Sequence, residues 1–393
     1  MRGARQLADG KAAILSTLVG FAATYALATT GAQVASIALA ARKCRRPRRP
    51  LQAAKNAPPV TLVQPLCGVE AFSEATLEAA FALDYPDYEL IFCIARADDE
   101  AAPMARRAIG RHPERPARLL IGDERPSANP KLNNVVKGWK AARNAWIIIA
   151  DSNVLMPSDY IQRMMAGWRK GAGIVCAPPI GSEPQTLAAE IECAFLNTYE
   201  ARWQYAAEAC GVGFAQGKSM LWRRDVLEAG GGVERLGDEI AEDAAATKLV
   251  RRAKLRPHLA PGPFDQPLGR RSWADVWGRQ ARWARLRRAT FPLFFAPEIF
   301  TSGLLAIVAA VFGAAAFGVS PFLFAAAIAF VWYGSEAALA LLAGWRLAPA
   351  TLLACALRDA TLPWLWLQAW MIDDFEWRGH SMSTADEGAP EAR

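Results

Sequence analysis

Three hydrophobic patterns divide the 393-residue chain. The first is continuous: residues 13–41 carry no charge, a run longer than the ~20 residues that cross a bilayer. Arg2, Arg5 and Lys11 precede it as they would a signal peptide, but the run exceeds the about 7–15 apolar residues of a signal sequence. The second pattern alternates. Val60–Leu66, Tyr88–Ala95, Ala117–Ile121 and Ala145–Ala150 are short apolar strands, separated by helical periodicity up to about Leu83, over 101–111 and over Lys131–Arg143. Strands alternating with helices predict an α/β domain with a parallel-rich central sheet, whose ligands sit beyond the carboxyl ends of the strands. The third pattern returns to lipid-like composition: 296–317 and 320–342 each have the length of a span, with a break at Gly318–Pro321. The stretch 348–372 is equally apolar but holds Arg358 and Asp359 at its middle, so it reads as a third C-terminal span or as a helix in the headgroup zone. The division that follows is a membrane anchor with a basic flank (1–49), an α/β domain (50–288), a C-terminal membrane region of two or three helices (289–380) and a disordered tail (381–393).

Charge refines this picture. Lys and Arg outnumber Asp and Glu by 45 to 38, giving +7. The basic runs abut the apolar segments, which points to anionic lipid headgroups and away from nucleic acid. Six positive charges follow the first span within Arg42–Arg49 and three precede it, so the positive-inside rule puts the central domain in the cytoplasm. The seven cysteines (44, 67, 93, 176, 193, 210 and 355) are scattered, without a C-x-x-C pair, as in a reducing compartment without structural zinc.

The candidate chemistry is acidic and lies at strand ends. Asp98 and Asp99 follow the second strand, where either would also serve as a helix N-cap. Asp151-Ser152-Asn153 follows the fourth strand; its two oxygen-bearing side chains suit a turn, or a hard divalent ion shared with a diphosphate. Glu239 to Asp243 opens a helix, either as ordinary acidity at a helix start or as a carboxylate able to take a proton from a hydroxyl. Arg279, Arg282 and Arg285 share one helix face beside Trp273, Trp277 and Trp283, which suits an interfacial helix and also a guanidinium site for a departing diphosphate. No G-x-G-x-x-G follows the first strand, and Gly217-Lys218-Ser219 matches only the end of a P-loop.

Taken in order, these motifs resemble the ceramide glucosyltransferase family, glycosyltransferase family 21, of the GT-A, family-2-like group. The resemblance rests on Asp99, Asp151 and Asp243 followed by Arg279-x-x-Arg282-Trp283, over roughly residues 59–300. Pro65-Leu66-Cys67-Gly68-Val69, Leu83-Asp84-Tyr85-Pro86, Asn129 to Asn134, Arg224 to Leu227 and Gly230-Gly231 are similar too. It implies a GT-A domain between N- and C-terminal transmembrane helices, in an integral protein of a bacterial inner membrane. It implies a UDP-sugar donor held by Asp98, Asp99, Lys131 and Asp151, with Mg or Mn at Asp151 and Asn153. It further implies Asp243 as catalytic base, and Arg279, Arg282, Trp283 and Glu200 at the diphosphate and acceptor end, facing a ceramide-like lipid. Two departures stand out: Glu200 takes the place of a histidine in animal members, and Asp-Ser-Asn replaces Asp-x-Asp. Hopanoid or other lipid acceptors, a processive synthase, a silent membrane scaffold and a small transporter are the rival readings.

Overall fold

A computed structural model describes residues 2–45, 49–377 and 380–385; Arg46 and Arg48 of the basic flank lie outside these. Helix α1 (Arg2–Ala41) leads through a linker to β1 (Val60–Pro65), α2 (Ser73–Phe81), β2 (Tyr88–Ile94), α3 (Ala101–Arg111), β3 (Ala117–Ile121), α4 (Pro130–Ala141) and β4 (Trp146–Ala150). These are the alternating elements expected from the hydrophobic pattern. Pro130 presets the first turn of α4, and the Asn129 side chain caps it by accepting from the amides of Lys131 and Leu132. Gly138 lets α4 lie close on the sheet, because a Cβ there would sit 2.5 Å from Val63 Cγ1.

The chain continues through α5 (Tyr160–Ala166), β5 (Ala172–Cys176), β6 (Pro179–Pro184), α6 (Leu187–Ala194), one π-helical stretch (Phe195–Ala201), α7 (Arg202–Ala209), β7 (Ser219–Arg223), α8 (Arg224–Ala229), α9 (Glu242–Arg252), β8 (Arg256–Leu259) and β9 (Phe264–Gly269). Seven strands form the main sheet in the order β3-β2-β1-β4-β7-β5-β8; β6 and β9 pair separately. The pairings of β1 with β2 and β4, of β2 with β3 and of β5 with β8 are parallel, while β7 runs antiparallel to β4 and β5. Alternate residues face opposite sides, so Leu62, Leu90 and Ile148 enter one core with α2, α3 and α5. Val63, Ile91 and Ile149 enter the other with α4 and α9. Each such side chain, fully buried, contributes about 1.5–3 kcal/mol. The strand order turns around at β1, which opens a crevice at the carboxyl ends of β1 and β4.

The membrane-like part begins with α10 (Trp273–Thr290), started by a capping box between Ser272 and Asp275. It is followed by α11 (Pro292–Phe295), α12 (Gly303–Gly313), α13 (Pro321–Ala343) and α14 (Pro349–Met371). Among the described residues, 10–41 and 321–343 are long and apolar enough to cross a membrane. The expected span over 296–317 is not one straight helix: 292–301 and 303–317 pass the same test only together, bent by 54° at Ser302. The charges of α14 are buried and satisfied. Arg358 meets Glu336 of α13 at 2.9 Å and Asp359 at 2.8 Å, and donates to Thr198 Oγ1 at 2.9 Å. Glu336 also accepts from Gln33 of α1 at 2.8 Å, and Arg202 of α7 donates to the same Gln33. Where disorder was expected from 381, the strand His380–Ser383 (β11) pairs with Asp374–Trp377 (β10), and Arg288 of α10 bonds Thr384 just beyond it at 3.0 Å. Residues 386–393 lie outside the described residues.

Candidate active site

At the carboxyl end of β4 the chain must place a polar residue, and Asp151 sits there half-buried. Its Oδ1 lies 2.6 Å from Lys131 Nζ, brought by the first turn of α4, and its Oδ2 lies 2.8 Å from Lys218 Nζ, brought by the segment leading into β7. Lys131 also reaches Glu242 Oε1 at 2.6 Å and donates to the Gly217 carbonyl at 2.6 Å. Lys218 donates to Asn153 Oδ1 at 3.2 Å. Beside them, at the start of α9, Asp243 accepts from the Gly217 amide at 3.0 Å, while Glu242 accepts from Asn129 at 2.8 Å. The α4 cap, the turn before β7 and the α9 N-terminus thus meet over one carboxylate pair.

The protonation states follow from this packing. Burial would raise the Asp151 carboxyl, but Lys131 and Lys218 overcome it and hold it at about 2. Burial acts downward on Lys131 too, and the carboxylates of Asp151 and Glu242 outweigh it, so its ammonium is held above the usual range. Lys218 goes the other way, lowered by burial and by the neighbouring charge of Arg279. Among the described residues no cation forms an ion pair with Asp243; burial, then the charge of Glu242, push it up to about 6. Of the carboxyl groups whose charge Lys131 influences, Asp151 is thereby locked as an anion and Asp243 is poised near neutrality.

The remaining expected residues divide. Asp99 Oδ1 accepts from the amides of Gly68 at 2.9 Å and Ala101 at 2.8 Å, tying the loop after β1 to α3 at the rim of the crevice. Asp98 is turned outward in an exposed pair with Arg96 at 2.5 Å, where water screens it. On α10, Arg279 is anchored by the fully buried Glu192 of α6 and its charge reaches Lys218. Arg282 is half-buried, and Trp283 packs against the small cluster of Ala189, Cys193, Leu196 and Leu268. Glu200 belongs to the π-helical stretch, a geometry often found at functional sites. Its carboxyl is raised by burial to about 7, against the lowering influence of Arg287, and Gln280 of α10 lies beside it. A narrow cavity next to it is walled by Phe195, Tyr199, Gln280, Arg287, Phe295 and Trp366. Successive residues of α10 therefore face the lysine cluster and this cavity.

The donor set does not fit a divalent ion at Asp151 and Asn153 as arranged. Both Asp151 oxygens face ammonium groups, Asn153 already accepts from Lys218, and among the described residues no three His, Cys, Asp or Glu side chains converge on a metal-sized position. An ion about 4 Å from one of these lysines would meet a repulsion of about 8 kcal/mol at an effective dielectric of about 20. Lys218 and Glu242 were absent from the residues expected on sequence. In sequence, Gly217-Lys218-Ser219 reads only as an incomplete P-loop, and Glu242 only as part of an acidic helix start.

The profile of glycosyl transferase family 21 matches residues 22–389. The chain is 29% identical over 255 residues to ceramide glucosyltransferase 1 of Caenorhabditis elegans, covering 63% of this chain and 54% of that protein. It is 29% identical over 202 residues to the ceramide glucosyltransferase of Komagataella phaffii, covering 45% and 39%. The chain thus spans about half the length, or less, of the curated relatives it matches. Among solved structures, a mannosyltransferase from Pyrobaculum calidifontis, in complex with GDP-Man and Mn2+, superposes with a TM-score of 0.52 at 19% identity, over 89% of this chain and 98% of that one. The fold is of the GT-A type.

Proposed function

Since the chain belongs to glycosyltransferase family 21, we propose that it moves a hexose, glucose foremost, from a UDP-sugar to the hydroxyl of ceramide or a related sphingolipid. The observation that carries this reading is the pairing of a carboxyl at about 6, Asp243, with two lysines around Asp151 at the crevice of a GT-A sheet. The transfer inverts configuration. The acceptor hydroxyl attacks the anomeric carbon, its proton passes to Asp243, and the bond to the nucleotide diphosphate breaks on the opposite face. Lys131, Lys218, Arg279 and Arg282 face the charge that grows on the leaving diphosphate. Asp99 keeps its second oxygen for the nucleotide, and Asp151 orients both lysines. Both Asp151 oxygens, expected from the family resemblance to hold a divalent ion, are engaged by those lysines.

The lipid enters from the side of α10. Trp283 and Glu200 meet it at headgroup level, and the catalytic segment 50–288 faces the cytoplasmic side of a bacterial inner membrane. The test is transfer by purified, detergent-solubilised protein. Radiolabelled UDP-glucose, UDP-galactose, UDP-glucuronate and UDP-GlcNAc are each offered with ceramide, diacylglycerol and a hopanoid, with and without Mn2+ or Mg2+. A labelled glycosylceramide supports the reading. Label in another lipid alone moves the acceptor, and no label together with no UDP binding returns the chain to the scaffold reading.

A further inference from the structure

At the end of α9 remote from Asp243, eleven residues or about 16 Å along the helix, lies a second cavity of about 300 Å³. Its charged lining is Glu208, Arg251, Lys254, Arg256 and His258. The one carboxylate is already occupied: Glu208 meets Lys43 at 2.5 Å, Arg169 at 2.8 Å and His258 Nδ1 at 3.1 Å. Arg251 bonds the carbonyls of Val212 and Gly213. The side chains of Lys254 and Arg256 have no hydrogen bond or ion pair among the described residues, so the cavity lining carries uncompensated positive charge.

Backbone conformation supplies an independent observation. Lys254 has φ +59, one of two non-glycine residues with positive φ among the described residues. It is the residue after the C-cap of α9, where glycine is the strain-free choice and a side chain is costly. The helix dipole does not require a lysine there, because Arg251 and Arg252 already occupy the last turn. A strained backbone retained at a lysine on the lining of a cavity points to a ligand contact there.

Location identifies the ligand class. Lys43, which grips Glu208, stands two residues beyond the end of α1, and its carbonyl accepts from the Gly262 amide at 3.0 Å. The cavity's Glu208 is thus tied to the basic segment that follows the apolar helix α1, in which Arg42, Arg45 and Arg49 also stand. We propose that this cavity binds the phosphate group of an anionic phospholipid, separately from the transfer site.

The test titrates full-length protein in detergent micelles with dihexanoyl phosphatidylglycerol, dihexanoyl phosphatidylcholine and inorganic phosphate. Binding of phosphatidylglycerol alone, weakening with salt, is expected. Each lost cation should weaken it about fivefold, in Lys254→Gly and in Arg256→Gln. Lys254→Gly should also unfold at a higher temperature than the parent, which separates lost binding from lost folding. Equal binding of phosphatidylcholine, inorganic phosphate binding as tightly as the lipid, or unchanged phosphatidylglycerol affinity in both variants would each overturn the proposal.

Discussion

Replacing Asp243 by asparagine should destroy transfer and strengthen the fold. The carboxyl ordinarily ionises near 3.8 and is raised here to about 6 by burial and by Glu242. Between those two values the folded chain holds the proton more tightly than the unfolded one, so stability falls as pH rises through that window. Above pH 6 the full penalty is present, on the order of 3 kcal/mol at about 1.4 kcal/mol per pH unit. Asparagine never ionises, so Asp243→Asn should gain about 3 kcal/mol at pH 7.5 but only about 1 kcal/mol at pH 4.5. The same ionisation governs chemistry with the opposite sign. Transfer by the parent should fall about tenfold per pH unit below 6, and loss of the base should cost about 10²–10⁴-fold at pH 7.5. UDP binding should persist, because Lys131 and Lys218 remain. The assays are thermal unfolding in detergent at both pH values, isothermal titration with UDP, and labelled-sugar transfer. A variant that transfers within tenfold of the parent, or that gains no stability at pH 7.5, would refute the assignment of Asp243 as a buried base.

Lys218→Met should weaken UDP binding about tenfold, by removing one cation from the diphosphate side of Asp151. If Mn2+ restores that affinity more in the variant than in the parent, the lysine and the ion compete for one place, which titration in EDTA and in Mn2+ measures. Glu200→Gln removes a group raised to about 7 and should erase a limb near pH 7 from the kcat/KM profile for the lipid, while leaving UDP affinity unchanged. Arg358→Met strands Glu336 and Asp359 without their cation and should cost about 3–5 kcal/mol, read from thermal unfolding in micelles.

The first half of the sheet was legible because its strands are short, wholly apolar and spaced by helices. Val60–Pro65, Tyr88–Ile94, Ala117–Ile121 and Trp146–Ala150 lie within a residue or so of their expected bounds. The second half was not. Ser219–Arg223 is five residues long, and its antiparallel insertion between β4 and β5 depends on partners 44–77 residues away that no local pattern encodes. The site divides in the same way. Asp151 and Asp243 announced themselves by standing at the edge of an apolar strand and at a helix start. Lys218 became part of the constellation only when the chain brought it across to Asp151, 67 residues earlier in sequence. The charges of α14 were visible, but the satisfaction of Arg358 by Glu336 and Thr198, with Gln33 in turn donating to Glu336, depends on separate segments meeting.

That meeting has a consequence for biosynthesis. Gln33 leaves the ribosome 303 residues ahead of the Glu336 that accepts its hydrogen bond. At about 5–20 residues per second, some 15–60 s pass while the first helix sits in lipid with its amide unanswered. The whole catalytic segment is synthesised in that interval, so the anchor closes onto a domain that has had time to fold. The first helix is thus a late-locking part of the protein body rather than a tether, and a version lacking residues 1–41 would begin life with Arg202 and Glu336 missing the partner they share.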